Sequence, residues 1–361
     1  MITTEPPSTI SNPAPRQYFW TRTFTRACLA LLLAAGITCS AQSPTTPNPN
    51  WRLTWSDEFN GPNGSSPDPG KWNFVVSGNG FGNHELESYT NRPVNAHQQD
   101  GRLIITALKE NHTGPDGIPQ PYTSARIFTK DHFAQPYGRF EARMQLPTGK
   151  GIWPAFWLLG SDIDINPWPK SGEIDIIENI GDPATIYSTL HGPGYSGNHA
   201  IPAKFPLPAG ESVTDGFHLY AVEWAPNDIK FFFDDHLIAH RTPADLPAGA
   251  HWAFDHPFFI ILNLAVGGGW PGNPDETTTF PQQMLVDYVR VYQPASSPKP
   301  IQHAKMQSIP SDPGAPYLDS EMWTSSKGRP FSSPSRVIPP ASKTPEVAES
   351  TSTGHESKPI Q

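Results

Sequence analysis

The chain has 361 residues, enough for one large domain or two ordinary ones. Its 43 Pro and 29 Gly exclude a mostly helical protein, and charged residues at 16% beside aromatics at 11% mark a ring-rich, weakly charged chain. Between 42 and 293, 15 basic residues stand against 27 acidic ones, a formal charge of −12 that excludes nucleic acid and other polyphosphate partners.

In chain order, Arg22 to Arg26 and the apolar run Ala27 to Ile37 read as the n-region and h-region of a secretory signal. The run has eleven residues, against the roughly 20 that span a bilayer, so no transmembrane segment is expected in the mature chain. Cleavage at Cys39-Ser40-Ala41 makes 1–41 a signal peptide and the protein secreted, extracellular or periplasmic; a lipid anchor at Cys39 is the alternative. Both cysteines, Cys28 and Cys39, fall in this leader, so the remainder forms no disulfide. Residues 42–50 form a Pro-rich linker, 51–293 a folded domain, and 294–361 a tail whose twelve Pro among Ser, Thr and Lys predict disorder.

Within 51–293 the apolar period is two. In Arg139 to Leu146, Phe140, Ala142, Met144 and Leu146 point one way, and Arg139, Glu141, Arg143 and Gln145 the other, as a half-buried strand requires. Leu103–Leu108, Phe217–Trp224, Ile229–Phe233, Phe258–Ala265 and Val286–Tyr292 are apolar on both faces. Such strands, separated by Gly, Pro, Asn and Asp, predict an all-β sandwich of two antiparallel sheets.

Ser171 to Gly181 carries the chemistry. Glu173 and Asp175 share one strand face, with Ile174 and Ile176 on the other. Glu178 falls on the wrong face unless one β-bulge at Ile176-Ile177 restores it. Three acids on an apolar strand repel one another, a costly arrangement for structure and a useful one for acid/base chemistry. Two carboxylates about 5–5.5 Å apart suit a retaining glycosidase; a metal site and an inert acidic face are the alternatives. Upstream, Trp153 and Trp157 are four apart, on one strand face, where two indoles offer a stacking platform for sugar rings or else fill the core.

GEIDIIE at 172–178, with WPAFWLLG before it and His191 after it, resembles the catalytic region of glycoside hydrolase family 16, in its laminarinase-like endo-β-1,3-glucanase branch. The resemblance continues in WSDEFNG (55–61), GNHELESYT (82–90), YTSARI (122–127), YGRFEARMQLP (137–147), FHLYAVEW (217–224), LNLAVGGGWPG (262–272) and VDYVRVYQ (286–293). It implies a jelly-roll sandwich of the concanavalin A type with a concave cleft, cutting β-1,3 or mixed β-1,3/1,4 glucan by double displacement. It further implies Glu173 as nucleophile, Glu178 as general acid/base and Asp175 as the residue that hydrogen-bonds the nucleophile. Trp153, Trp157, His191, Arg126, Asn83 and Trp270 match sugar-binding positions, and Asn263, an amide in an apolar strand that must find partners, is expected at the cleft. A structural calcium ion is implied, with Glu58 and Asp287 as contributors; catalysis needs no cofactor. Agarase-like and carrageenase-like galactanases share the two-residue spacing between Asp175 and Glu178, but sulfated galactans favour cationic clefts, and this domain is acidic. The contrasting class is a non-catalytic glucan-binding jelly roll, which would need the tryptophans and not the acids. A monomer is expected.

Overall fold

The computed structural model describes residues 50–297; the expected leader with its two cysteines, and the tail beyond 297, lie outside the described residues. In chain order the strands are β1 (Trp51–Asp57), β2 (Asn73–Phe74), β3 (Glu87–Tyr89), β4 (Ala96–Gln98), β5 (Leu103–Ala107), β6 (His112–Thr113), β7 (Pro119–Gln120), β8 (Tyr122–Ser124), β9 (Arg126–Phe128) and β10 (Gly138–Gln145). They continue as β11 (Ile152–Gly160), β12 (Glu173–Glu178), β13 (Thr185–His191), β14 (Ile201–Pro206), β15 (His218–Ala225), β16 (Asp228–Phe233), β17 (His236–Arg241), β18 (Phe258–Val266) and β19 (Gln282–Pro294). Helical geometry is confined, among the described residues, to three-residue 3₁₀ turns. Among the described residues no helix is long and apolar enough to cross a membrane.

Two antiparallel sheets make the sandwich. One has eight strands in the order β17-β16-β15-β10-β19-β5-β4, with β1 also pairing β19; the other runs β14-β13-β12-β11-β18-β9-β2. Their inner faces meet in one core: Phe140, Ala142, Met144, Val222, Phe231, Val289 and Val291 from the first sheet oppose Phe156, Leu158, Ile174, Ile260, Leu262 and Leu264 from the second. Every residue of β18 is buried, because its outer face is also covered, by a second cluster containing Phe81, Tyr89, Phe128 and the rings of Trp153 and Trp157. That is the cause of the two-faced apolar run in its sequence.

β19 ends at Pro294, where Ala295 N–H donates to Asn50 O at 2.8 Å. The outward face of β10 differs from expectation. Arg139 and Glu141 are buried rather than solvated. Arg139 donates to Glu141 (2.7 Å), Glu223 (3.1 Å) and Asp235 (2.8 Å), while Tyr292 caps Glu141 at 3.1 Å. Period-two alternation separates the two faces of a strand but does not say whether the polar face is covered by its own ion pairs.

Candidate active site

β12 is a central strand of the seven-stranded sheet, hydrogen-bonded to β11 on one side and β13 on the other. Its register breaks once. Opposite β13, Asp175 pairs with Thr189 and Glu178 with Tyr187, so Ile176 and Ile177 together face the single residue Ser188. The extra residue is the bulge that the spacing of the acids requires. Both isoleucines turn into the core, and Ser188 Oγ donates to the Ile176 carbonyl at 2.8 Å. Glu173, Asp175 and Glu178 thereby share the outer face. Gly172, just before them, adopts φ +69°, and a Cβ there would lie 2.8 Å from Ala253 O and 2.9 Å from Phe258 Cζ, so only glycine fits the turn into the strand.

Directly opposed residues form lateral rows across the sheet. One runs Arg126 (β9), Asn263 (β18), Ala155 (β11), Glu178 (β12), Tyr187 (β13) and Lys204 (β14). The next contains Trp157, Asp175 and Thr189, and a third Leu159, Glu173 and His191. Opposed residues point to the same side, so the expected residues converge although they come from five strands.

Each acid has its own environment. Trp168 Nε1–H donates to Glu173 Oε2 at 2.6 Å. Asp175 is 2% exposed and holds its proton well above the ordinary carboxylate range, because burial disfavours its charge and Glu173 beside it adds to the effect. His191 Nδ1 accepts the Gly197 N–H at 3.2 Å, which places the ring proton on Nε2, 3.1 Å from Asp175 Oδ2 and 3.9 Å from Glu173 Oε1. Glu178 is also pushed well above the ordinary range, by burial and then by Asp175, with His191 and the Trp153 indole opposing. Trp153 Nε1–H reaches Glu178 Oε1 at 3.1 Å and Thr189 Oγ1–H reaches Oε2 at 3.3 Å. The face therefore pairs a half-buried Glu173 with a buried Glu178 whose carboxyl is pushed toward its protonated form, the division of labour that two-carboxylate glycoside cleavage needs.

The supporting residues are wired to one another. Trp157 Nε1–H donates to Asn263 Oδ1 at 2.7 Å, and Arg126 stacks its guanidinium 4.6 Å over the Trp157 ring rather than projecting alone. Trp270, 43% exposed, meets Trp153 edge-on at 5.7 Å and Tyr187 at 4.9 Å. Asn83 donates its amide to Glu85, and its carbonyl accepts Gly269 N–H at 2.7 Å beside Trp153. Sequence reasoning missed Trp168, Thr189 and Tyr187. Tyr187 and Thr189 carry a legible signal, their period-two placement with His191 on the strand after the acids, whereas Trp168 sits in the Asn166-Pro-Trp-Pro169 loop, where no periodicity marks it.

Glu173, Asp175 and His191 offer ligand atoms within 4.8 Å of one another and form, among the described residues, the one group able to hold a metal ion. Glu173 is already engaged by the Trp168 donor, while Asp175 Oδ2 is buried without a hydrogen-bond partner among the described residues. The calcium contributors are not brought together as ligands. Glu58 is bound by Arg290 through two bonds of 2.9 and 2.8 Å, and Asp287 by Arg143 at 2.7 Å. With each charge met by a guanidinium, these side chains do not fit a divalent cation as they stand.

A β sandwich that sets a half-buried and a buried glutamate on one face of a bulged strand has the constellation of a two-carboxylate glycoside hydrolase. Residues 83–290 match the family model described as glycosyl hydrolases family 16, and the chain belongs to that family. It is 41% identical over 281 residues to a beta-glucanase of Rhodothermus marinus, covering 73% of this chain and 93% of that protein. Among solved structures it is similar to the endo-beta-1,3-glucanase of Pyrococcus furiosus, at 46% identity and TM-score 0.65 over 68% of this chain and 96% of that one. The laminarinase catalytic domain of Thermotoga maritima is similar at 45% identity and TM-score 0.64, over 68% of this chain and 98% of that one.

Proposed function

We propose that this hydrolase is a secreted, retaining endo-glycosidase that cuts β-1,3 or mixed β-1,3/1,4 glucan. The observation that carries the reading is an asymmetry of burial: Glu173 is half-buried, whereas Glu178 is buried and its carboxyl is pushed toward the protonated form. Glu178 gives its proton to the glycosidic oxygen while Glu173 attacks the anomeric carbon; the C–O bond breaks and a glycosyl ester forms on Glu173. Glu178, now a carboxylate, takes a proton from water, whose oxygen attacks the same carbon and returns Glu173. Asp175 carries the proton that keeps its own charge away from Glu173 during the attack.

The β-1,3-glucan preference is supported by the Pyrococcus endo-beta-1,3-glucanase and the Thermotoga laminarinase, and a neutral polymer suits a domain of charge −12. Export is supported by the Arg22–Ile37 leader pattern, and a mature N-terminus at Gln42 found by sequencing the exported protein would test it. The functional test is reducing-end release from laminarin, lichenan, agarose and carrageenan by wild type and Glu173→Gln. Laminarin is expected to be cut fastest and the variant to be inactive. Undiminished release by Glu173→Gln, or an inverted anomer as the first product by NMR, would sink the assignment.

A further inference from the structure

Beneath the sugar face lies a second pair of buried acids that the double displacement does not use. Glu87, on β3, is fully buried; its Oε2 accepts Val266 N–H at 2.6 Å at the end of β18. Its Oε1 meets no hydrogen-bond donor among the described residues. Glu85 beside it has both oxygens engaged, Oε1 by Asn83 Nδ2 at 2.9 Å and Oε2 by Tyr89 O–H at 3.1 Å. A buried carboxylate oxygen with no donor is unfavourable, and a proton carried by Glu87 and given to Glu85 supplies what it lacks.

From Glu85 the bonds run on in one sense. Tyr89 donates to Glu85, Asn263 Nδ2 donates to the Tyr89 oxygen at 3.1 Å, and Trp157 Nε1–H donates to Asn263 Oδ1 at 2.7 Å. Every hydrogen points toward Glu85. Three residues expected at sugar, Asn83, Asn263 and Trp157, are therefore set by one carboxylate.

We propose that Glu87 is a positioning residue for glycan binding: its proton, hydrogen-bonded to Glu85, holds the relay through Tyr89 and Asn263 that fixes the Trp157 indole. The proposal rests on the glucanase reading above and adds to it a control of sugar affinity separate from the catalytic acids. When Glu87 loses its proton, two negative charges face each other in a buried space, Glu85 is pushed off Tyr89, and the relay loosens. The groups bearing on the pair are Glu85 and Tyr89 on its own segment, Arg126 from β9 as the opposing cation, and Glu173 of β12, which acts on Arg126. Burial, with the Glu85 charge adding to it, pushes the Glu87 carboxyl well above the ordinary carboxylate range, so the event falls at higher pH than an ordinary carboxylate's ionisation.

The test is the pH dependence of KM and of kcat on laminarin for wild type and Glu87→Gln, whose amide donates to Glu85 and accepts from Val266 N–H at every pH. Wild-type KM is expected to rise about tenfold as Glu87 ionises, the effect of losing one buried hydrogen bond, while kcat follows Glu178. In the variant KM is expected to stay flat across that range. A variant KM that climbs in parallel with wild type overturns the proposal. If Glu87→Gln shows no cooperative melt, Tyr89→Phe replaces it: KM is expected to rise about three- to tenfold with kcat little changed, and an unmoved KM overturns the proposal. If wild type does not cut laminarin, the glucanase reading fails on its own, and the relay is judged by the Trp157 indole N–H resonance. That resonance is expected to titrate in wild type and not in Glu87→Gln; identical titration in both overturns the relay.

Discussion

The hydroxyl of Ser188 donates to the carbonyl of Ile176 across the β12–β13 ladder at 2.8 Å, and this bond ties down the one place where the catalytic strand leaves regular pairing. Ser188 is buried, so Ser188→Ala leaves the Ile176 carbonyl without its donor. The expected cost is about 1–3 kcal/mol by urea unfolding. Because the bulge sets the position of Glu178 relative to Glu173, kcat is expected to fall more than KM rises. A variant as stable and as active as wild type would show that β11 alone holds the bulge.

Trp168→Phe keeps the ring and removes the indole N–H from Glu173 Oε2. A hydrogen bond to a charged group contributes about 1.5–3 kcal/mol, so kcat/KM is expected to fall about 10- to 100-fold with the melting temperature nearly unchanged. Steady-state kinetics on laminarin with parallel thermal melts checks both halves.

Trp153→Phe acts on the other acid with the opposite sign. The Trp153 donor favours the charged form of Glu178. Removing it is expected to raise the Glu178 pKa further and move the alkaline limb of the kcat/KM profile to higher pH. A limb that stays in place or moves to lower pH contradicts Glu178 as the general acid.

Stability itself is expected to depend on pH through the buried acids. Asp175, Glu178 and Glu87 hold their protons to higher pH when folded than when unfolded. Above the ordinary carboxylate range the unfolded chain has released those protons and the folded one has not, so the stabilisation present at acid pH is lost as pH rises through the raised values. Melting temperature is expected to decline as pH rises above the ordinary carboxylate range, and less steeply in Asp175→Asn, which cannot release that proton. Equal slopes would mean that Asp175 ionises normally in the fold.

The charge cluster on the outer face of β10 gives a test of the fold alone. Arg139 meets Glu141, Glu223 and Asp235, and Glu141 is itself buried. Arg139→Ala leaves that carboxylate unpaired, with an expected loss of about 3–5 kcal/mol in denaturant unfolding.

Much of this fold was legible because its strands are apolar on both faces: β18 is buried throughout, and nothing else explains nine such residues without helical period. The bulge was legible from parity alone, since Glu178 cannot share a face with Asp175 without an extra residue. Asn263 announced that it needed partners, but which ones depended on β18 lying between β9 and β11, a long-range pairing. Trp168 was hidden because its role comes from where a proline-flanked loop folds back. Arg139 and Glu141 are buried where period-two alternation predicts a half-buried strand, because alternation reports direction and not cover.

The row from Arg126 to Lys204 crosses six strands at intervals of about 4.8 Å. It carries in order a guanidinium, an amide, a methyl, a carboxyl, a phenol and an ammonium, and no two neighbours are alike. The first three are buried, and Arg126 and Asn263 both engage Trp157, whereas Tyr187 is half-buried and Lys204 exposed. Strand order therefore gives Glu178 two unlike flanks, a covered one toward β9 and an open one toward β14.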